Sequence, residues 1–264
     1  MAILQRMTIA FLTVAMLATG AVRAASTTNF SDNWYTENES GWGMLVQQQA
    51  DVLFIGLFVY GADNKPTWFT ATALYQSNSV TGHVVFTGDL YRTNGTYYGA
   101  TWNPAALGYS KVGTLTFDAT TTNEATLTYT VDGTPVVKNV TRLLLRYENL
   151  SGKYSGSWIN DSFNGSCAGW PSDMSIVIDD IRHNADNTVK MAIWARELFG
   201  GFYLSGTYSQ SGHIGKIVGS VDSPDRGSFT FSEIEKSASG LTGRFDGVLN
   251  GCVVTNSRIG VARQ

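Results

Sequence analysis

Charge is what this sequence has least of. Asp, Glu, Lys and Arg together make up 15% of its 264 residues, against about a quarter in an ordinary globular chain. It has only three histidines, two cysteines and five prolines. Few charges combined with 43% hydrophobic residues exclude a disordered chain, which needs high charge and low hydrophobicity. No run of like charges occurs, so nucleic acid is a poor candidate as a partner. The histidines are widely spaced, with no paired cysteine and no Gly-x-Ser-x-Gly elbow, which leaves a nucleophilic triad unsupported. Phosphate loops, dinucleotide fingerprints, calcium loops and metal-ligand spacings are also lacking. The expectation is therefore no cofactor and no metal.

Gly, Ser, Thr, Asn and aromatics fill the places that Glu, Lys, Ala and Leu would hold in a helical protein. This supply favours strands and tight turns. The fold class expected is all-β, as two tandem antiparallel modules, small barrels or sandwiches, with little helix. The longest apolar run away from strand-like alternation is at the N-terminus, where Arg6 precedes residues 7–18 and Ala21-Val22-Arg23-Ala24-Ala25 follows. Residues 1–24 read as a secretory signal peptide cut after Ala24, since about twelve apolar residues are too few to span a bilayer. No membrane span is expected. Without Arg6 and Arg23, 16 basic residues face 21 acidic ones, a mildly acidic balance suited to neither nucleic acid nor an anionic membrane surface. An exported chain meets an oxidising compartment, so Cys167 and Cys252 are expected to form a disulfide. The location implied is outside the cytoplasm: extracellular, cell-surface or periplasmic.

The chain partly repeats itself. Gly113-Thr114-Leu115-Thr116-Phe117, Leu127-Thr128 and Val131-Asp132-Gly133 return as Gly227-Ser228-Phe229-Thr230-Phe231, Leu241-Thr242 and Phe245-Asp246-Gly247 at a constant offset of 114. Val140-Thr141-Arg142 has a counterpart in Asn256-Ser257-Arg258 after a two-residue insertion. Tyr75 to Gly82 and Tyr208 to Gly215 keep one spacing, and Gly41-Trp42 and Gly169-Trp170 open the two halves. The modules are placed at residues 25–148 and 149–264. Val52–Tyr60, a turn over residues 61–66 and Thr67-Trp68-Phe69-Thr70-Ala71 read as a hairpin of core strands. A second hairpin pairs Met174-Ser175-Ile176-Val177-Ile178 with Val189-Lys190-Met191-Ala192-Ile193-Trp194. Asp132-Gly133 and Asp246-Gly247 are both expected to supply two-residue turns. Asn103-Pro104 can cap and start one helical turn. If each module closes into a barrel, a Cys167–Cys252 bridge staples the seam of the second.

Trp34-Tyr35-Thr36-Glu37-Asn38-Glu39-Ser40-Gly41-Trp42-Gly43, then Gln47-Gln48-Gln49, the aromatic strand to Tyr60 and Lys65-Pro66-Thr67-Trp68 form a distinctive opening. This pattern resembles an uncharacterised family of bacterial secreted proteins and C-terminal modules with a Trp-Tyr, Glu-Ser-Gly-Trp-Gly, Pro-x-Trp signature. The likeness covers residues 33–143; Asn64-Lys65 stands where the family often has Gly-Lys, and the second module falls outside it. The resemblance implies a bacterial source, export and a β-rich module, and transfers no catalytic residue. Two readings of the motif stand side by side. Trp34, Tyr35, Trp42 and Trp68 with Glu39 can form an aromatic platform for a carbohydrate or small apolar ligand, or they can pack as the core of a small barrel. The function expected is a secreted or cell-surface binding protein for such a ligand. The rivals are a polysaccharide lyase or glycoside hydrolase, for which Glu37 with Glu39 or Tyr208 with His213 are the candidate pairs, and an envelope structural protein.

Overall fold

A computed structural model describes residues 28–77, 79, 82–165, 167, 169–198, 200–222 and 227–264; the signal-peptide reading lies outside them. The chain is all-β. The first eight strands are β1 (Asp32–Tyr35), β2 (Gly43–Gln49), β3 (Val52–Tyr60), β4 (Pro66–Tyr75), β5 (Val84–Asn94), β6 (Gly108–Ala119), β7 (Glu124–Val131) and β8 (Thr134–Arg142). Each pairs antiparallel with the next, and β8 returns to β1, closing a barrel. The second half holds β9 (Gly152–Ile159), β10 (Ser162–Gly165), β11 (Asp173–His183), β12 (Thr188–Ala195), β13 (Gly200–Ser211), β14 (Ile214–Val221), β15 (Gly227–Lys236), β16 (Gly240–Leu249) and β17 (Cys252–Arg263). Here β9 and β11 to β17 pair in order, β17 returns to β9, and a second eight-stranded barrel closes; β10 is an extra strand on the upper part of β17.

Alternation along each strand fills the two interiors. Leu53, Ile55 and Leu57 point inward from β3 and are fully buried, while Phe54, Phe58 and Tyr60 point outward and are about half exposed. The apolar run expected as a core strand is thus buried on one face only. The two cores are separate clusters, one containing Trp34, Phe86 and Phe117, the other Tyr154, Trp158 and Phe245.

Counted strand by strand, the internal repeat holds. β6 and β15 are both sixth in their barrels and β7 and β16 both seventh, while Tyr75 and Tyr208 both lie on fourth strands. Two details differ from the sequence reading. Asp132-Gly133 turns β7 into β8 with φ of 48° and 83°, but Asp246-Gly247 lies inside β16, which runs on to Leu249. The turn is made there by Asn250-Gly251, at 50° and 80°, because Phe231 pairs with Phe245 where Phe117 pairs with Leu127, so the β15–β16 hairpin holds four more residues and the next turn falls four positions later. The last triplet is also out of phase: Arg142 is buried while Arg258 is exposed, since Asn256 takes a positive φ within β17 and shifts the alternation. The helical turn at Pro104–Ala106 forms as expected, with the Asn103 side chain accepting the Ala105 N–H. Cys167 and Cys252 are joined in a disulfide, 85 residues apart in sequence, a closure that contributes about 4 kcal/mol by the chain-entropy argument.

The barrels meet at the lower end of the first one, where residues 28–31 and the β6–β7 turn lie against the second. Arg142 donates to Asp32 Oδ2 at 3.2 Å and to the carbonyls of Asn29, Ser31 and Thr122. His213, from the β13–β14 turn, approaches the same Asp32 oxygen with its backbone N–H at 3.0 Å and with Nδ1 at 2.8 Å. Burial alone would raise the Asp32 carboxyl, but the hydrogen bonds from the His213 side chain and backbone and from Asn33 outweigh it and hold it below the ordinary aspartate value. Burial likewise pulls Arg142 down, opposed by Asp32. Arg142 also lies 4.9 Å from the Trp34 ring centre.

Candidate functional site

In an up-and-down barrel every turn that follows an odd-numbered strand lies at the same end. The β1–β2 loop (residues 36–42), the β3–β4 turn (61–65), the β5–β6 loop (95–107) and the β7–β8 turn (132–133) therefore crowd the upper rim of the first barrel, opposite the end that meets the second. Between the β1–β2 loop, the β3–β4 turn and the β7–β8 turn opens a cavity of about 960 Å³. It is lined by Trp42, Phe69 and Tyr129, with Tyr60 at its outer edge, and its rim carries Glu39, Asp63, Lys65, Arg92, Asp132 and Lys138.

Each wall is held by a neighbour. Trp42 Nε1 donates to Tyr129 Oη at 3.3 Å, so an indole from the β1–β2 loop is tied to β7. Gly41 has φ of +92°, and a Cβ there would come within 2.6 Å of Tyr60 Oη; only glycine lets the Tyr60 ring close over the loop. Phe69 lines the interior with Arg92 5.5 Å above its ring, and Arg92 pairs with Asp132 at 2.7 Å. Lys138 pairs with Glu39 across the seam between β8 and the loop, and Lys65 stands 3.7 Å from Asp63. Every cation on the rim is thus matched by a carboxylate. The cavity offers aromatic faces, hydrogen-bonding groups and little net charge.

The five residues expected to form one site lie in four places. Glu39 and Trp42 line the cavity. Trp34 is 1% exposed and belongs to the barrel core, its Nε1 donating to the Phe30 carbonyl at 3.0 Å beneath the lower end. Trp68 is 55% exposed on the outer wall, directly across from Phe58 on the neighbouring strand. Tyr35 ends β1 opposite Thr141, at the seam. The continuous platform of Trp34, Tyr35, Trp42 and Trp68 is not formed, because strand alternation sends Trp34 inward and Trp68 outward while only the loop residues reach the rim.

The candidate catalytic pairs separate as well. Glu37 and Glu39 sit in a loop rather than a strand, and they line different cavities. His213 is engaged by Asp32, and the imidazole nearest Tyr208 is that of His183, with ring centres 4.8 Å apart. Burial, together with Glu148 and Tyr147, pushes the Tyr208 phenol well above its usual range, and its hydroxyl donates to Gln210. Tyr60, Phe69, Arg92, Tyr129 and Lys138 escaped the sequence reading. The signal that could have found them is topological: Tyr60, Phe69, Arg92 and Tyr129 lie toward the rim end of their strands and Lys138 midway along β8, in a barrel whose turns at Asn64-Lys65 and Asp132-Gly133 were already legible.

Neither protein-family models nor curated proteins give a match to this chain.

Among the described residues no three His, Cys, Asp or Glu side chains gather in a way that could hold a metal ion, and no helix is long and apolar enough to cross a membrane.

Proposed function

We propose that the chain is an exported binding protein whose first barrel receives a carbohydrate or small apolar ligand in its upper mouth. One observation carries this reading: an open cavity of about 960 Å³, lined by the aromatic side chains of Trp42, Phe69 and Tyr129 with Tyr60 at its edge, and rimmed by carboxylates each paired with a cation. Aromatic faces stack on the C–H face of a sugar ring or on an apolar ring, while the paired charges supply donors and acceptors for hydroxyls without a net field. Catalysis of glycosidic cleavage is supported less well, because Glu39, Asp63 and Asp132 are all committed to Lys or Arg partners. Export is supported by the disulfide, which belongs to an oxidising compartment, and by the apolar N-terminal run. The resemblance of the Glu-Ser-Gly-Trp-Gly segment to bacterial secreted modules points the same way.

The test is a panel of neutral oligosaccharides, including cello-, malto-, xylo- and chito-oligomers, and a panel of small aromatic compounds, titrated by calorimetry. Saturable binding with no new reducing ends and no unsaturated product on prolonged incubation is the expected result. Turnover of any glycan would replace the binding reading with the enzymatic one.

A further inference from the structure

The first barrel closes incompletely. The two-residue turn at Asp132-Gly133 pairs Val131 with Thr134, so Thr134, Val136 and Lys138 direct their backbone groups to β7 while Pro135, Val137 and Asn139 direct theirs away from it. On that far side β1 meets β8 only through Tyr35 opposite Thr141 and Trp34 opposite Arg142, then turns off into the β1–β2 loop. The N–H and C=O of Val137 and Asn139 and the C=O of Pro135 have no backbone partner among the described residues. Val137 is 63% exposed. Bare strand edges of this kind are templates for another strand.

The second barrel shows what fits there. Its eighth strand, β17, follows the turn at Asn250-Gly251, so Cys252 stands where Thr134 stands and Thr255 where Val137 stands. Along that stretch lies β10, antiparallel, with Ser162 opposite Thr255 and Gly165 opposite Cys252, and the Cys167–Cys252 bridge fixes it in place. β10 comes from a segment of thirteen residues between β9 and β11, whereas the equivalent segment of the first barrel has seven. Those seven are committed across the mouth through Glu39–Lys138 and Trp42–Tyr129. With Thr134 in place of a cysteine, none of the described residues of the first barrel pairs with this edge or locks the slot.

We propose that the free edge of β8 takes an extended peptide segment of a partner chain as an added antiparallel strand, and that this segment carries a basic side chain. The charge follows from the lower end of the slot. There a groove of about 570 Å³ is lined by Thr36, Glu37, Glu124, Thr126, Asn139 and Thr141, and neither glutamate has an ion-pair partner among the described residues. β10 itself ends opposite the equivalent of Val137; a guest that extends this register by two residues places one opposite Asn139 on the outer face, beside the groove that both glutamates line. Backbone hydrogen bonds provide the affinity and the acidic groove the selection, the usual division in strand addition.

The probe is an acetylated and amidated hexapeptide, Lys-Thr-Ser-Phe-Asn-Gly, which carries the β10 sequence with a lysine opposite Asn139. It is titrated into the full chain by fluorescence anisotropy, with amide exchange followed by NMR. The expected result is saturable binding that slows exchange of the Val137 and Asn139 amides at least about tenfold. Methylating the serine nitrogen of the peptide, which removes the donor facing Val137, is expected to weaken binding at least about fivefold. The double variant Glu37→Gln/Glu124→Gln, at exposed positions that leave the fold intact, is expected to weaken it about as much, as is raising the salt from about 0.05 M to 0.5 M. Val137→Pro removes the receiving N–H and is expected to abolish binding; where that variant fails to fold, the glutamate variant and the methylated peptide decide. Absence of saturable binding, or binding indifferent to both methylation and the glutamates, overturns the proposal. So does protection of the same amides on concentrating the protein alone, which would assign the edge to a second copy of this chain.

Discussion

Three tryptophans of the opening motif occupy three environments, and single substitutions separate them. Trp34 fills the core between Phe30 and Phe117 and sits beneath Arg142, so Trp34→Ala is expected to cost about 3–5 kcal/mol of stability in urea unfolding. Trp68 stands on the outer wall, and Trp68→Ala is expected to change stability by no more than about 0.5 kcal/mol. Equal losses at the two positions would show that the strand alternation is wrong. The motif alone did not reveal this division, because the glycines bracket Trp42 and not Trp34, and only the register of β1 against β2 and β8 decides that Trp34 faces in. Asp32 gives a second test at this scale. Its carboxyl is held below the ordinary aspartate value, so its stabilising contribution is full above an unfolded pKa of about 4 and is lost as pH falls through the lower folded value. The urea midpoint is expected to drop between about pH 5 and pH 2, and to drop less steeply in Asp32→Asn, which also begins from lower stability because Arg142 loses its partner in a buried site. A parallel pH dependence in both proteins would contradict this assignment.

At the scale of elements, the hairpins were legible wherever turn chemistry and apolar alternation agreed. Val52–Tyr60 with its return strand, the β11–β12 hairpin and the Asp132-Gly133 turn all form. The second Asp-Gly pair misled because a turn dipeptide inside a longer strand looks the same as one at its end. What decides is the partner register, and Leu249 pairs with Cys252 across Asn250-Gly251. Gly251 at φ 80° requires a conformation that alanine resists. Gly251→Ala is therefore expected to destabilise by more than about 1 kcal/mol, as read from the thermal midpoint; an unchanged midpoint would return the turn to Asp246-Gly247. The seam elements were not legible at all. Four residues of β1 and four of β10 carry too little periodicity to be recognised in a sequence, although they determine where one barrel is open and the other sealed.

At the scale of the whole molecule, two barrels with separate cores share a polar junction centred on Asp32, Arg142 and His213. Because Asp32 and Arg142 both belong to the first barrel, a fragment of residues 25–148 keeps its buried ion pair while losing the contacts of His213, Glu233 and Glu235 with residues 28, 29, 32 and 122 and those of Tyr208, Gln210 and Lys236 with residues 146–148. It is expected to fold alone, with strand-type circular dichroism and a cooperative melt at somewhat lower temperature than the full chain. A fragment that gains structure only when the second half is added would mean that the junction, not the cores, organises the fold. The repeat and the all-β class could be read from composition and spacing; the rim could not, since Glu39, Tyr60, Arg92 and Lys138 are brought together only by closure of the barrel.

The central claim is that this rim is a binding site. Its most direct test is hydrogen exchange by mass spectrometry on the full chain, with and without whichever glycan or aromatic compound the calorimetric panels retain, in the wild type and in Trp42→Ala. The expected result is protection confined to residues 36–42, 59–67 and 129–138, absent from the second barrel, with affinity reduced at least about tenfold in the folded Trp42→Ala variant. Protection located elsewhere, or affinity unchanged by loss of the Trp42 indole, would contradict it.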